Sequence, residues 1–464
     1  MEAIINFFTG TLNTVAWLYI FLPCTIIGGL YLTIRNRGIQ FTRFGYAMKN
    51  TVGKMFQKQE AGAGAVTPLQ AVTTALAATV GTGNIVGTSQ AIALGGYGAV
   101  FWLWLAALLG MMIKYSEVTL SIQYRERDAK GDWVGGPMYY VKNGLGKHWQ
   151  WVGILFCVFA AIASFGIGNM GQINKIVLNM KSAFFGGVTA TVGGMSVVSL
   201  ACGIVLMILA ALIVIGGLQR IATVAERVVP FMAVLYIIGS LIVFFTHISS
   251  VGAMFAAIFR FAFGSKAVAG GAAGIAIQQA ITQGCKRGVF SNEAGLGSSV
   301  MVHSSSNVKE PVAQGMWGIF EVFFDTIVVC TITGLMILTS GLLDSGMEGV
   351  ALTVACFTSG FGHLGGIIFS FSIVAFAIPS ILGWYYYARE CLRYLFKGKL
   401  MLYIYQGVFL VLLVFGAQLQ LTFVWDVADT LNGLMAIPNL ISLVILCRVV
   451  VKLTKEYLEE HGSD

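Results

Sequence analysis

Residues 61–113 run without a single Asp, Glu, Lys or Arg. A membrane-crossing helix takes about 20 apolar residues, so this one stretch holds two crossings. Residues 182–219 and 400–425 are uncharged in the same way. Of the 464 residues, 57% are hydrophobic and 10% charged, whereas a soluble domain carries about 25% charged residues. Such a chain is a polytopic membrane protein. Runs such as ISLVILCRVVV at 441–451 lack the polar-apolar alternation of a transmembrane barrel, which leaves helices.

The formal charge of +8 does not point to nucleic acid, because the basic residues stand in short clusters between apolar runs. The positive-inside rule explains that placement, and membrane lipid is the expected surrounding. Spans are expected near 11–34, 67–94, 98–123, 149–175, 192–216, 228–247, 270–300, 312–339, 352–386, 402–421 and 427–450, with a loop holding Arg260 and Lys266 between the two groups of five that follow the first span. Alternate connections carry Arg35, Arg37, Arg43, Lys49, Lys54 and Lys58 against Glu60; Arg125, Arg127 and Lys130; Arg220 and Arg227; Lys286 and Arg287; and Arg389, Arg393, Lys397 and Lys399. These read as cytoplasmic. The amino terminus is then outside and the carboxyl terminus, with Lys452 and Lys455, inside. Glu2 in place of a basic leader makes the first apolar run a retained span.

An odd count, with the first span set aside, leaves two groups of five that start from opposite sides, which is the arithmetic of an inverted repeat. The expected organisation is one membrane domain: a peripheral helix 11–34, repeats over 67–247 and 270–450, and a cytoplasmic tail 451–464. The eight cysteines show no metal or redox spacing. GTGNIVG has Val86 where a dinucleotide loop needs glycine, and no GxxxxGK[ST] or HExxH occurs, so no ATPase module, organic cofactor or transition metal is expected. An ion gradient is the simplest energy source.

Two segments read as interrupted. In 73-TTALAATVGTGNIVGTSQAI-92, Gly81, Gly83 and Gly87 lie amid Thr79, Thr82, Asn84, Thr88 and Ser89. Glycine weakens a helix, and an unwound turn frees backbone groups that suit a sodium ion or the ends of an amino acid; tight helix packing through small residues is the other reading. In 281-ITQGCKRGVFSNEAGLGSS-299, Gly295 and Gly297 allow a reversal, while the stretch 270–284 supplies the intramembrane part with Gln278, Gln279 and Gln283. Glu293 fits a contact with Lys286 or Arg287, or a role in ligand or proton binding.

Asp325 is surrounded by apolar residues, and a lone carboxylate in lipid is costly, so it faces the bundle, as a structural bond or in ion coupling. Glu117 has Lys114 three residues earlier for a local pair. Pro379 kinks its helix directly before Ser380, whose hydroxyl suits a hard cation, and Trp384 shares that face. Tyr385, Tyr386 and Tyr387 read as an interfacial belt. Asn169, Gln172 and Asn174 place amides near a span's end, for ligand or for water.

Together 79-TVGTGNIVG-87, 98-GAVFWLW-104, 135-GGPMYY-140, 288-GVFSNEAGLGS-298, 310-EPVAQG-315, 325-DTIVVCT-331 and 381-ILGWYYYARE-390 resemble the alanine or glycine:cation symporter family, over roughly residues 15–450. The resemblance implies an all-α polytopic protein of about eleven transmembrane helices, ten of them in a leucine-transporter-like inverted five-helix repeat. It also implies import of a small neutral amino acid, alanine or glycine first, with sodium as coupling ion, in a prokaryotic cell membrane. Thr79, Gly81, Thr82, Gly83, Asn169, Gln172, Gln279, Ser380 and Trp384 are its candidate substrate contacts. Ala77, Val80, Asn84 and Ser380 are candidate sodium ligands, and Glu293 and Asp325 candidate coupling or gating residues. The family's usual Ser-Thr pair is replaced here by Pro379 and Ser380. A proton-coupled or facilitative carrier of glutamine or serine is the rival, and an ion channel with GTGN carbonyls as filter a more distant one.

Overall fold

The computed structural model describes residues 7–55, 65–264, 272–418 and 422–461. Lys58, Glu60 and Lys266 lie outside the described residues. Among the described residues the regular structure is helical apart from two short ribbons, Glu126–Arg127 paired with Trp133–Val134 and Thr191–Val192 paired with Met195–Ser196. The longer helices are α1 Gly10–Arg35, α2 Pro68–Thr79, α3 Thr88–Gly95, α4 Gly98–Gln123, α5 Lys147–Ala183, α6 Val197–Val214, α7 Gly217–Thr246, α8 Val251–Phe263, α9 Ala272–Asn292, α10 Pro311–Thr339, α11 Gly349–Phe361, α12 His363–Leu395, α13 Lys399–Gly416, α14 Thr422–Ile445 and α15 Cys447–His461. Among the described residues, eight helices are long and apolar enough to cross a membrane. A ninth crossing is made if Asp429–Ile445 and Cys447–His461, bent by 57°, are one span. The protein is a multi-pass membrane protein.

Burial sorts the helices into an inner bundle and a lipid-facing shell. In α4 the run Leu109–Ile122 is wholly buried, Lys114, Ser116 and Glu117 included, and α4 packs against α9 and α10. A β-carbon at Gly284 would run into the Ala99 carbonyl, which shows how closely α9 approaches α4. By contrast α6 and α13 expose Val205, Leu209, Leu212, Leu400, Tyr403 and Val411, as helices against acyl chains do. The break that follows α2 starts from a well-anchored helix. Thr67 and Gln70 form a reciprocal capping box and Pro68 occupies the first turn of α2.

Several expected boundaries shift. The single span expected over 352–386 is two helices, because Gly362 takes a left-handed φ of 58° and turns α11 into α12. Arg389 and Arg393 then lie on α12, Arg220 and Arg227 on α7, Arg260 on α8, and Lys286 and Arg287 on α9, not in connections. The three tyrosines are not an interfacial belt. Tyr385, Tyr386 and Tyr387 are buried; Tyr386 bonds Ser305 at 3.1 Å and Tyr385 stacks on Tyr405.

Candidate substrate and ion site

Helix α2 ends where Val80 leaves helical geometry, at φ −77° and ψ 78°. The next segment resumes as an expanded turn, Gly83–Gly87, that leads into α3. The last carbonyls of one half-helix and the first N–H groups of the next are thereby released at a buried position, since Val80, Thr82 and Asn84 are fully covered. Glycine serves a close approach here. A β-carbon on Gly81 would collide with the Ser380 hydroxyl of α12.

Three sets of side chains converge on the break. From α12, the Ser380 hydroxyl donates to the Ala77 carbonyl at 3.1 Å and to its own Phe376 carbonyl at 3.0 Å. Ala77 and Ser380 thus meet, with Val80 at the turn beside them. From α10, within the expanded stretch Phe323–Cys330, Asp325 accepts from the Asn84 amide at 2.6 Å and from Thr326 at 2.7 Å. Asn84 also accepts the Gly81 N–H at 2.8 Å, so its side chain holds the break and the acid together. Among the described residues no cation pairs with Asp325. From α5, Gln172 accepts from Thr82 at 2.8 Å and the Lys175 ammonium donates to the same hydroxyl at 2.7 Å.

The remaining candidates fall in different places. Gly83 lies beside Phe290, and Trp384 is buried against Gly168, where a β-carbon would overlap the indole side chain. Thr79 folds its hydroxyl back onto the Ala75 carbonyl at 3.2 Å. Asn169 turns to α13, donating to the Phe409 carbonyl at 2.6 Å. Gln279 is exposed, so it is not among the buried groups around the break.

Glu293 does not meet Lys286 or Arg287. Lys286 pairs with Asp429 at 3.0 Å and Arg287 donates to Gln90 at 3.0 Å, whereas the Glu293 carboxylate takes the Ser298 hydroxyl. The expected local pair of Lys114 with Glu117 is likewise replaced. Lys114 donates to Ser299 at 2.7 Å and to the Glu293 carbonyl at 3.1 Å, and pairs with Glu321 at 3.5 Å. Glu117 instead accepts the Gly297 N–H and the Asn439 amide. His303 completes this group, 2.9 Å from Glu321 and 2.8 Å from the Gln314 amide. Lys175, Glu321 and His303 are not singled out span by span in the sequence; a lysine at the end of the apolar run 149–175 is the available signal.

A cavity of about 810 Å³ opens at the end of the bundle that carries the basic segments, lined by Glu126, Arg127, Trp133, Tyr386, Arg389 and Lys399 among others. Among the described residues no group of three or more His, Cys, Asp or Glu could hold a metal ion.

The sequence pattern of the sodium:alanine symporter family matches residues 1–464. The chain belongs to the sodium:alanine symporter family. The "Sodium/alanine symporter AgcS" of Methanococcus maripaludis is 40% identical over 455 residues, 97% of this chain and 96% of the relative. The "Probable sodium/glutamine symporter GlnT" of Bacillus subtilis is 35% identical over 464 residues, 99% and 92% of the two chains. A crystal structure of MhsT in complex with L-phenylalanine superposes with a TM-score of 0.58 at 17% identity, covering 86% of this chain and 99% of that one, a likeness of fold. As a member of the sodium:alanine symporter family the protein is a secondary active symporter of an amino acid with sodium, not an enzyme.

Proposed function

We propose that this protein imports alanine or glycine together with sodium by alternating access, using the break between α2 and α3 as the common site. The carrying observation is the meeting of Ala77 and Ser380 across that break, next to a half-helix amino end. Sodium prefers oxygen ligands of this kind, and the Ala77 and Val80 carbonyls, the Ser380 hydroxyl and the Asn84 amide oxygen supply them. Pro379 adds to the set. Lacking an N–H, it leaves a carbonyl one turn earlier on α12 without its helical partner. The substrate contacts are Thr82, Gln172, Ser380, Trp384 and the backbone of 79–83, with Trp384 as the apolar wall. Small side chains are favoured because Gly81 and Gly168 are already filled from across the site.

In this reading eleven helices span the membrane, ten of them as two inverted repeats over 67–247 and 270–450. The amino terminus is outside and the carboxyl terminus is in the cytoplasm of a prokaryotic cell. Ion and amino acid bind from outside, their joint occupancy favours closure there and opening toward the basic side, and the sodium gradient sets the direction. A second reading, proton coupling through Asp325, is favoured by that buried carboxylate having neutral donors for partners, with glutamine or serine as alternative cargo. Uptake of labelled alanine into sealed vesicles tests both at fixed membrane potential. Accumulation is expected to follow the inward sodium gradient at constant pH; equal accumulation with and without it overturns sodium coupling, and dependence on a pH gradient instead establishes the second reading.

A further inference from the structure

The cavity at the basic end of the bundle is not balanced in charge. Six of its lining residues are basic and four acidic. Three of the acids are already engaged: Glu126 with Lys142 at 2.7 Å, and Asp128 and Glu390 with Arg393. Arg127 is held as well, 4.2 Å above the Trp133 ring with its guanidinium donating to the Gly131 carbonyl. That leaves Lys130, Arg389, Lys397 and Lys399 against Asp132, and among the described residues none of these five enters an ion pair. Unpaired charge of one sign gathered around a cavity of about 810 Å³ attracts the opposite sign.

The mouth of the cavity narrows the choice of anion. Leu402 and Tyr403 line it from the start of α13, and Lys397 and Lys399 flank the point where that helix begins. Leu400, Ile404, Val408, Val411 and Phe415 are all exposed, and their spacing of three or four residues puts them on one face of α13. The basic lining therefore adjoins an apolar stripe that runs the length of a membrane helix. A soluble anion uses only the lysines. A molecule with an anionic head and an acyl tail uses both.

We propose that this cavity binds the anionic headgroup of a phospholipid from the adjoining leaflet, its phosphate held by Lys130, Arg389, Lys397 and Lys399 and its acyl chains laid along the exposed face of α13. The positive-inside bias explains why basic residues lie at this end, but not why they surround a cavity whose acids are mostly paired off.

The test is thermal unfolding of the purified full-length protein in nonionic detergent at low salt, titrated with dioctanoyl phosphatidylglycerol, dioctanoyl phosphatidylcholine or glycerol 3-phosphate. Phosphatidylglycerol is expected to raise the midpoint saturably, and the other two at equal concentration to leave it unchanged. A lysine beside the headgroup is worth about fivefold in affinity, so K397Q/K399Q should weaken phosphatidylglycerol about thirtyfold. The control K452Q/K455Q removes two exposed lysines of α15, outside the cavity lining, and should change nothing. Equal stabilisation by the two lipids overturns the headgroup contact. Stabilisation by glycerol 3-phosphate as large as by phosphatidylglycerol overturns the lipid in favour of a soluble anion. Equal weakening by the two double variants overturns the cavity as the site. Should K397Q/K399Q not fold, K130Q in the turn of the first ribbon takes its place, with about a fivefold loss expected and an unchanged affinity overturning the proposal.

Discussion

The stretches 79–87 and 288–299 are alike in composition, each threading Gly, Asn and hydroxyl residues through a buried segment, yet the structure uses them in opposite ways. At 79–87 the interruption is met by the Ser380 and Thr82 hydroxyls, the Asn84 and Gln172 amides, the Lys175 ammonium on Thr82 and the Asp325 carboxylate on Asn84. At 293–299 the chain reverses through positive φ at Glu293, Gly295 and Gly297, at 54°, 88° and 73°. There Lys114, Glu293, Glu117, Glu321 and His303 each hold at least one buried partner. Separating paired buried charges is costly, whereas carbonyls and hydroxyls exchange one another for an ion or a ligand at little net cost. The first break is therefore suited to a ligand that comes and goes, and the second is a joint that fastens α4, α9 and α10 together.

The largest effect is expected at the joint. Lys114→Met leaves Glu321 without its lysine and should cost about 3–5 kcal/mol, read as a large drop in the thermal unfolding midpoint of the purified protein. The double change K114M with E321L removes both charges and should recover much of that loss. A K114M protein that melts like the wild type but carries no substrate would reverse the comparison, placing the charges in transport. A smaller effect is expected at the first break. Ser380→Ala removes the hydroxyl on Ala77 and should raise the sodium half-saturation of alanine uptake about tenfold, with the unfolding midpoint little changed. Unchanged sodium dependence would take the α12 face out of the ion site.

The smallest effect serves as a reference away from both stretches. Glu126 in the first ribbon is two-thirds covered, and burial alone pushes its carboxyl up. Hydrogen bonds from Lys142 at 2.7 Å and Asn143 at 2.8 Å, with the lysine charge, outweigh that and hold it below the ordinary value. A depressed carboxyl stabilises the fold above its unfolded pKa of about 4.3, and the contribution fades as pH falls through the lower folded value. Glu126→Gln should therefore cost less than about 1 kcal/mol at pH 7 and nothing measurable in strong acid, compared by unfolding at the two pH values.

Much of this was legible before folding. The membrane class, the helical architecture and the Gly-rich break followed from runs without charge, because lipid forbids unpaired backbone and isolated charges. Asn84 and Asp325 stood out for the same reason, Ser380 through the Pro379 kink beside it, and Trp384 through its place on the Ser380 face and the family resemblance. The partners of those residues did not. Lys114 looked paired with Glu117 three residues on, but the helix turns them toward different neighbours, Glu321 and Asn439. Lys286 and Arg287 looked like a loop because charge marks loops, yet on α9 each finds a partner, Asp429 and Gln90, in helices far away in sequence.

By itself the sequence determined that the chain lives in lipid, that it crosses many times, and where its backbone is weak enough to break. Those are consequences of composition and local propensity, which act over a few residues at a time. Only the tertiary structure decided which break receives side chains from α5, α10 and α12, and which one is closed by its own charges. That choice depends on contacts between residues up to about three hundred positions apart, such as Ala77 with Ser380, whose geometry no local pattern encodes.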